Sequence, residues 1–91
     1  MRRIHYSGAS LLTGDDLARG VVDYAQVLAQ SGSSATITLP VRLNDGGIGN
    51  ATLLIGPASQ LVAVDESSPF DELSAPEVLD GWQNAMLPLP A

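Results

Sequence analysis

ATITLPVRLNDGGIGNATLLI, residues 35–55, is the stretch on which the fold turns. Ala35, Ile37, Leu39, Val41 and Leu43 alternate without a break with Thr36, Thr38, Pro40 and Arg42. A period of two places the aliphatic set on one side of a pleated strand, toward a core, and the other set toward water. Pro40 has no N–H to give to a ladder, so this strand is predicted to be an edge or to have a free side there. Gly46, Gly47 and Gly49 then crowd together before a second strand, Ala51–Ile55.

Glycines at this density suggest either a phosphate cradle or a turn. A dinucleotide fingerprint needs G-x-G-x-x-G between a strand and a helix. Here Gly47-Ile48-Gly49 has no third glycine in register, and the β-branched and aliphatic run after Asn50 has no helical period. A Walker loop needs a lysine, and the chain has none. Asp45-Gly46 is instead a hairpin signal, because both residues tolerate positive φ. Gly47 or Gly49 is expected to hold a bulge. The stretch is a hairpin.

Downstream, Gly56-Pro57-Ala58-Ser59 is a turn into a further strand, Leu61–Val64. Ala51–Ile55 and Leu61–Val64 are more uniformly apolar, so both are expected to be covered on two faces, by a helix and by a second subunit. Upstream, Arg3-Ile4-His5-Tyr6-Ser7 alternates and reads as a short strand, residues 3–7. Thr13-Gly14-Asp15-Asp16 fits a helix start with Thr13 as N-cap, and Leu12 and Leu17 have the spacing of a hydrophobic staple. Asp15 and Asp16 then complement the helix dipole. Leu17, Val21, Tyr24, Ala25 and Leu28 form one stripe, and Gly32 is a natural terminator, giving an amphipathic helix over 14–30. Gly20 inside it costs roughly 1 kcal/mol against alanine. Close packing against a neighbour would explain its presence.

These elements predict an α+β domain of two layers, β-α-β-β-β, an antiparallel meander with one amphipathic helix on one face. Were the first two strands neighbours, the helix would be a right-handed crossover and they would run parallel. Residues 1–66 form the compact part, and 67–91 an acidic, proline-rich C-terminal arm, packed on its own or a neighbouring subunit. Ser68-Pro69 and Ser74-Ala75-Pro76-Glu77 resemble helix starts, predicting a short turn at 69–73 and a helix at 76–86. Leu87-Pro88-Leu89-Pro90-Ala91 reads as an extended tail.

The chain has 91 residues, no cysteine and a formal net charge of −6. Disulfides and thiolate chemistry are therefore excluded. Residues 1–42 carry all four arginines against Asp15, Asp16 and Asp23, whereas 43–91 carry seven acids and no base. That balance argues against nucleic acid, whose phosphates need basic neutralisation. No apolar run reaches the ~18 residues of a membrane span. We expect a cytoplasmic protein that binds no membrane and needs no cofactor.

His5 is the single histidine, so any histidine-based triad or metal site must use it. Ser7 and Ser10 lie near it without a G-x-S-x-G elbow. The adjacent pairs Asp65-Glu66 and Asp71-Glu72 read as solvated charge rather than a metal cage. Trp82, the sole tryptophan, sits among Phe70, Leu73, Val78, Leu79 and Met86. That segment is a cap on the core, a docking helix anchored by Trp82, or an arm exchanged with a sister subunit. Phe70, Leu73, Leu79, Trp82 and Met86 are its candidate partner-binding residues. The expected role is a self-associating interaction module, a dimer before larger assemblies, rather than an enzyme. Two alternatives stand beside it. One is a small-molecule or enzymatic domain with a pocket between sheet and helix, rimmed by His5, Tyr6 or Arg42. The other is an acidic, antitoxin-like or inhibitor-like partner of a basic protein.

Overall fold

A computed structural model describes residues 1–58 and 60–86. Its order is β1 (Arg2–Tyr6), β2 (Ala9–Thr13), α1 (Asp15–Ser31), β3 (Ala35–Arg42), β4 (Ile48–Ile55), β5 (Leu61–Asp65) and α2 (Pro76–Met86). The five strands form one antiparallel sheet in the order β4-β3-β2-β1-β5, which with two helices makes an α+β fold.

The strand absent from the sequence-based expectation is β2. It pairs with β1 from Arg2↔Thr13 to Tyr6↔Ala9, leaving Ser7-Gly8 as a two-residue turn. Both turn residues have positive φ, 52° and 80°, the backbone that such a hairpin requires. β2 also separates β1 from β3, so the parallel crossover does not occur. Thr13 is not the N-cap. Gly14 holds that place, while the fully buried Thr13 hydroxyl donates 2.8 Å to the Pro40 carbonyl. Nor does Leu12 staple to Leu17, because Leu12 faces the far side of the sheet from the core that Leu17 enters. The side chain of Glu72 takes over the cap, accepting from the Asp15 N–H at 2.8 Å. α1 ends as expected at Gly32, φ 67°. The N–H of Ser33 returns to the Leu28 carbonyl and that of Gly32 to Ala29, a Schellman termination.

In the β3–β4 hairpin the turn centres on Asn44-Asp45, and Gly46, φ 88°, takes the left-handed position. Gly46 N–H donates to the Leu43 carbonyl, and Leu43 N–H to that of Gly47. This is the three-residue loop with a glycine bulge, so the bulge sits one residue before the expected Gly47. β4 begins at Ile48 rather than Ala51 and absorbs Gly49 into the ladder. The loop lies between strands and offers no helix terminus to a phosphate.

β3 meets β4 along eight register pairs but β2 at one, Leu12↔Arg42. Pro40 therefore does have a free side, where its carbonyl meets Thr13. The Tyr6 hydroxyl of β1 donates to the Leu54 carbonyl of β4. α1 packs on the inner face, where Leu17, Ala18, Val21, Tyr24 and Leu28 join Ile4, Ile37, Leu39, Val41 and Ile55.

α2 starts at Pro76 as expected, and its first turn closes on the Ala75 carbonyl. It lies against α1 at Gly20. A Cβ there would stand 2.6 Å from Leu79 Cδ2 and 3.1 Å from the Trp82 ring, which supplies the neighbour that the glycine implied. Residues 69–73 form no turn of helix, only a bend at Pro69-Phe70. The tail expected at 87–91 lies outside the described residues.

Candidate interaction surface

Because Ile4 is buried, Arg3 and His5 project from the opposite side of β1. Register places Val64 beside Arg3 and Val62 beside His5, with Leu12 and Ser10 on their other flank. On the hairpin the same parity turns Thr36, Thr38, Pro40 and Arg42 outward, paired with Leu54, Thr52, Asn50 and Ile48. None of these residues is a carboxylate, although the chain holds ten. Apart from Leu12, the aliphatic members are open to water: Leu54 is 66% exposed, Ile48 60%, Val62 57% and Val64 48%. Among the described residues of one chain, β4 and β5 are covered on their inner side and open on the outer one, the side expected to meet a second subunit.

Where the outer face meets the bottom of the molecule, residues 66–75 cross it as a strap. Glu66 grips Arg3 with both oxygens, at 2.7 and 2.8 Å. That hydrogen bond holds the Glu66 carboxyl below its usual range and raises the Arg3 guanidinium. Phe70 lies over the Arg42 guanidinium, 5.6 Å from ring centre, and against Gly46. Arg42 donates to the carbonyls of Gly46 and Asp71. Leu12 is buried beneath this strap, and Leu73 presses its carbonyl against Gly14. Glu72 and Asp15 also bind the Met1 ammonium, at 3.2 and 3.0 Å, and the Asp15 hydrogen bond leads in raising its pKa.

The sequence-nominated residues therefore separate into distinct places. Leu73 and Trp82 are buried in the core, Leu79 and Met86 are half-buried against it, and Phe70 stays exposed on the strap. Tyr6 lines an open cleft of about 690 Å³ at the end of the sheet, with Ser7, Ser34 and Gly56. His5 is exposed on the outer face, and Arg42 belongs to the strap contact. His5 and Tyr6 share an open hollow at the Ser7-Gly8 turn, but Arg42 lies apart from them, so the three proposed rim residues do not converge. Between sheet and helix there is packed aliphatic side chain, with Ile4, Leu17, Val21 and Ile55 wholly buried. Among the described residues no cluster of three potential metal ligands occurs, and no helix is long and apolar enough to cross a membrane. The outward residues of β4 were missed as candidates because Ile48-Gly49-Asn50 was read as turn. The alternation of Asn50 and Thr52 with Ala51, Leu53 and Ile55, carried back through Gly49 to Ile48, was the available signal.

Comparison with protein-family models, with curated proteins and with solved structures finds no match to this chain.

Proposed function

We propose that this protein is a self-associating interaction module whose contact is made at the β4 end of its sheet. The observation that carries this reading is the exposure of Leu54 and Ile48 on β4, a strand that holds no carboxylate. Fully burying an aliphatic side chain of this size contributes about 1.5–3 kcal/mol, so cover over several of them is worth having. In a chain of charge −6, two copies repel each other least where neither presents an acid. Size-exclusion chromatography with light scattering at micromolar concentration tests this, and a dimer is expected. A clean monomer across that range sinks the proposal.

A second reading has its own support. Arg2 and Arg3 pair with Asp65 and Glu66, and Arg42 is spent on backbone carbonyls, whereas Arg19 is exposed on α1 between Asp16 and Asp23. The net charge offered by the helical side is then acidic, as a binder of a basic protein requires. Capture of such a partner should weaken steeply with salt. Salt-insensitive capture argues against it.

A further inference from the structure

Resting on the self-association reading, we propose the contact itself: β4 pairs edge to edge with β4 of a second copy, antiparallel, about a two-fold axis at Asn50. The ladder parity supplies the geometry. Pro40 opposes Asn50, has no N–H, and turns its carbonyl to Thr13 rather than to β4. Pro40↔Asn50 is therefore a non-hydrogen-bonded pair, and alternation makes Arg42↔Ile48, Thr38↔Thr52 and Thr36↔Leu54 the same kind. The 3.0 Å contact between the Thr38 and Thr52 hydroxyls fits the closer side chains of such a pair.

It follows that Ile48, Asn50, Thr52 and Leu54 aim their backbone groups away from β3. The Leu54 carbonyl is already taken by the Tyr6 hydroxyl. Ile48, Asn50 and Thr52 remain, and among the described residues their outward groups meet no partner. That open run lies on an edge strand with no charge, no proline and no internal bulge, the devices that normally keep such edges apart.

A second copy fits this edge better than an unrelated strand does. The open run is symmetric about Asn50, so antiparallel self-pairing sets Asn50 against Asn50 and Ile48 against Thr52, and satisfies both copies at once. The run ends where Tyr6 caps Leu54, which fixes the register. Strand IGNATLLI is also free of acids, so two chains of charge −6 can approach there. A basic partner would be drawn instead to the carboxylates on the helical side.

The chain lacks cysteine, so single cysteines report the contact cleanly. Across a two-fold axis, Asn50→Cys would place its Cα atoms about 5.5 Å apart, within disulfide range. Under mild oxidation Asn50→Cys should cross-link to a covalent dimer and Val62→Cys should not. Thr52→Pro removes an outward N–H without touching the β3 ladder, and should weaken the dimer at least tenfold, whereas Thr52→Val should leave it intact. Circular dichroism checks that each variant is folded; if Thr52→Pro is not, the cysteine pair decides alone. Cross-linking at Val62 but not Asn50, or an unchanged Thr52→Pro dimer, overturns the edge contact while leaving self-association standing. A monomeric wild type removes both.

Discussion

Replacing Gly20 by leucine tests whether α2 is seated on α1. In an open helix the change is favourable, because leucine is a better helix former than glycine by about 0.8 kcal/mol. Here even a Cβ would stand 2.6 Å from Leu79 Cδ2 and 3.1 Å from two atoms of the Trp82 ring. The terminal methyl of Leu79 can rotate aside, but an indole wedged at 7% exposure has little room. A leucine side chain at Gly20 must then displace Trp82. The loss is similar to truncating a buried tryptophan, about 3–5 kcal/mol. Set against the propensity gain, a net destabilisation of about 2–4 kcal/mol is expected. Trp82 is the sole tryptophan, so its emission reports the displacement directly. Gly20→Leu should shift that emission to the red and lower the urea midpoint. In a Trp82→Ala background the same change should do much less harm, since the obstacle is gone. A raised midpoint with unchanged emission would refute the packing of α2 across Gly20.

Other expectations rest on single contacts. Thr13→Val should destabilise by about 1–3 kcal/mol in urea unfolding, because the Pro40 carbonyl loses its buried donor. Gly46→Ala must adopt φ 88° and also meets the Phe70 ring at 2.5 Å, so a loss of at least about 1–2 kcal/mol is expected; a neutral result would dismiss the Phe70 contact. The Glu66 carboxyl is held low by Arg3, so its contribution is present above the ordinary glutamate pKa and disappears as pH falls through the lowered value. Glu66→Gln should therefore narrow the stability difference from wild type at acid pH and widen it at neutral pH. Thermal melts at a series of pH values check the sign.

Much of the fold was legible where one physical signal dominated. The alternation from Ala35 to Arg42 returned as β3, with the inward residues Ile37, Leu39 and Val41 buried, whereas Leu43 falls past its end and is exposed. Pro76 with Glu77 marked the start of α2, and Gly32 the end of α1. β2 escaped because two local signals competed for the same residues. Thr13-Gly14-Asp15-Asp16 mimics a helix cap, and Leu11-Leu12 breaks the alternation that a strand would show. The tertiary bond from Thr13 to Pro40, across 27 positions, settled that competition. Ser7-Gly8 was the overlooked clue, a turn pair between Tyr6 and Ala9. For the functional surface, pattern assigned residues to faces but could not say what closes over them. The strap contacts join Arg3 to Glu66 and Asp15 to Glu72, separations of 63 and 57 positions that no local period encodes. Hence Arg42, chosen as a pocket rim, turned out to clasp Asp71 and Gly46.

The single register pair between β2 and β3 divides the sheet into units of different folding order. Two hairpins, joined at Ser7-Gly8 and at Asn44–Gly46, close over a few residues and can form early. The β1–β5 ladder, from Arg2↔Asp65 to Tyr6↔Leu61, must bring together segments that lie far apart in the sequence. Its closure entropy is the larger, and burial against α1 is what offsets it. Amides of β3 and β4 would then exchange with solvent as one cooperative group and those of β1, β2 and β5 as another, with Thr13 at the seam.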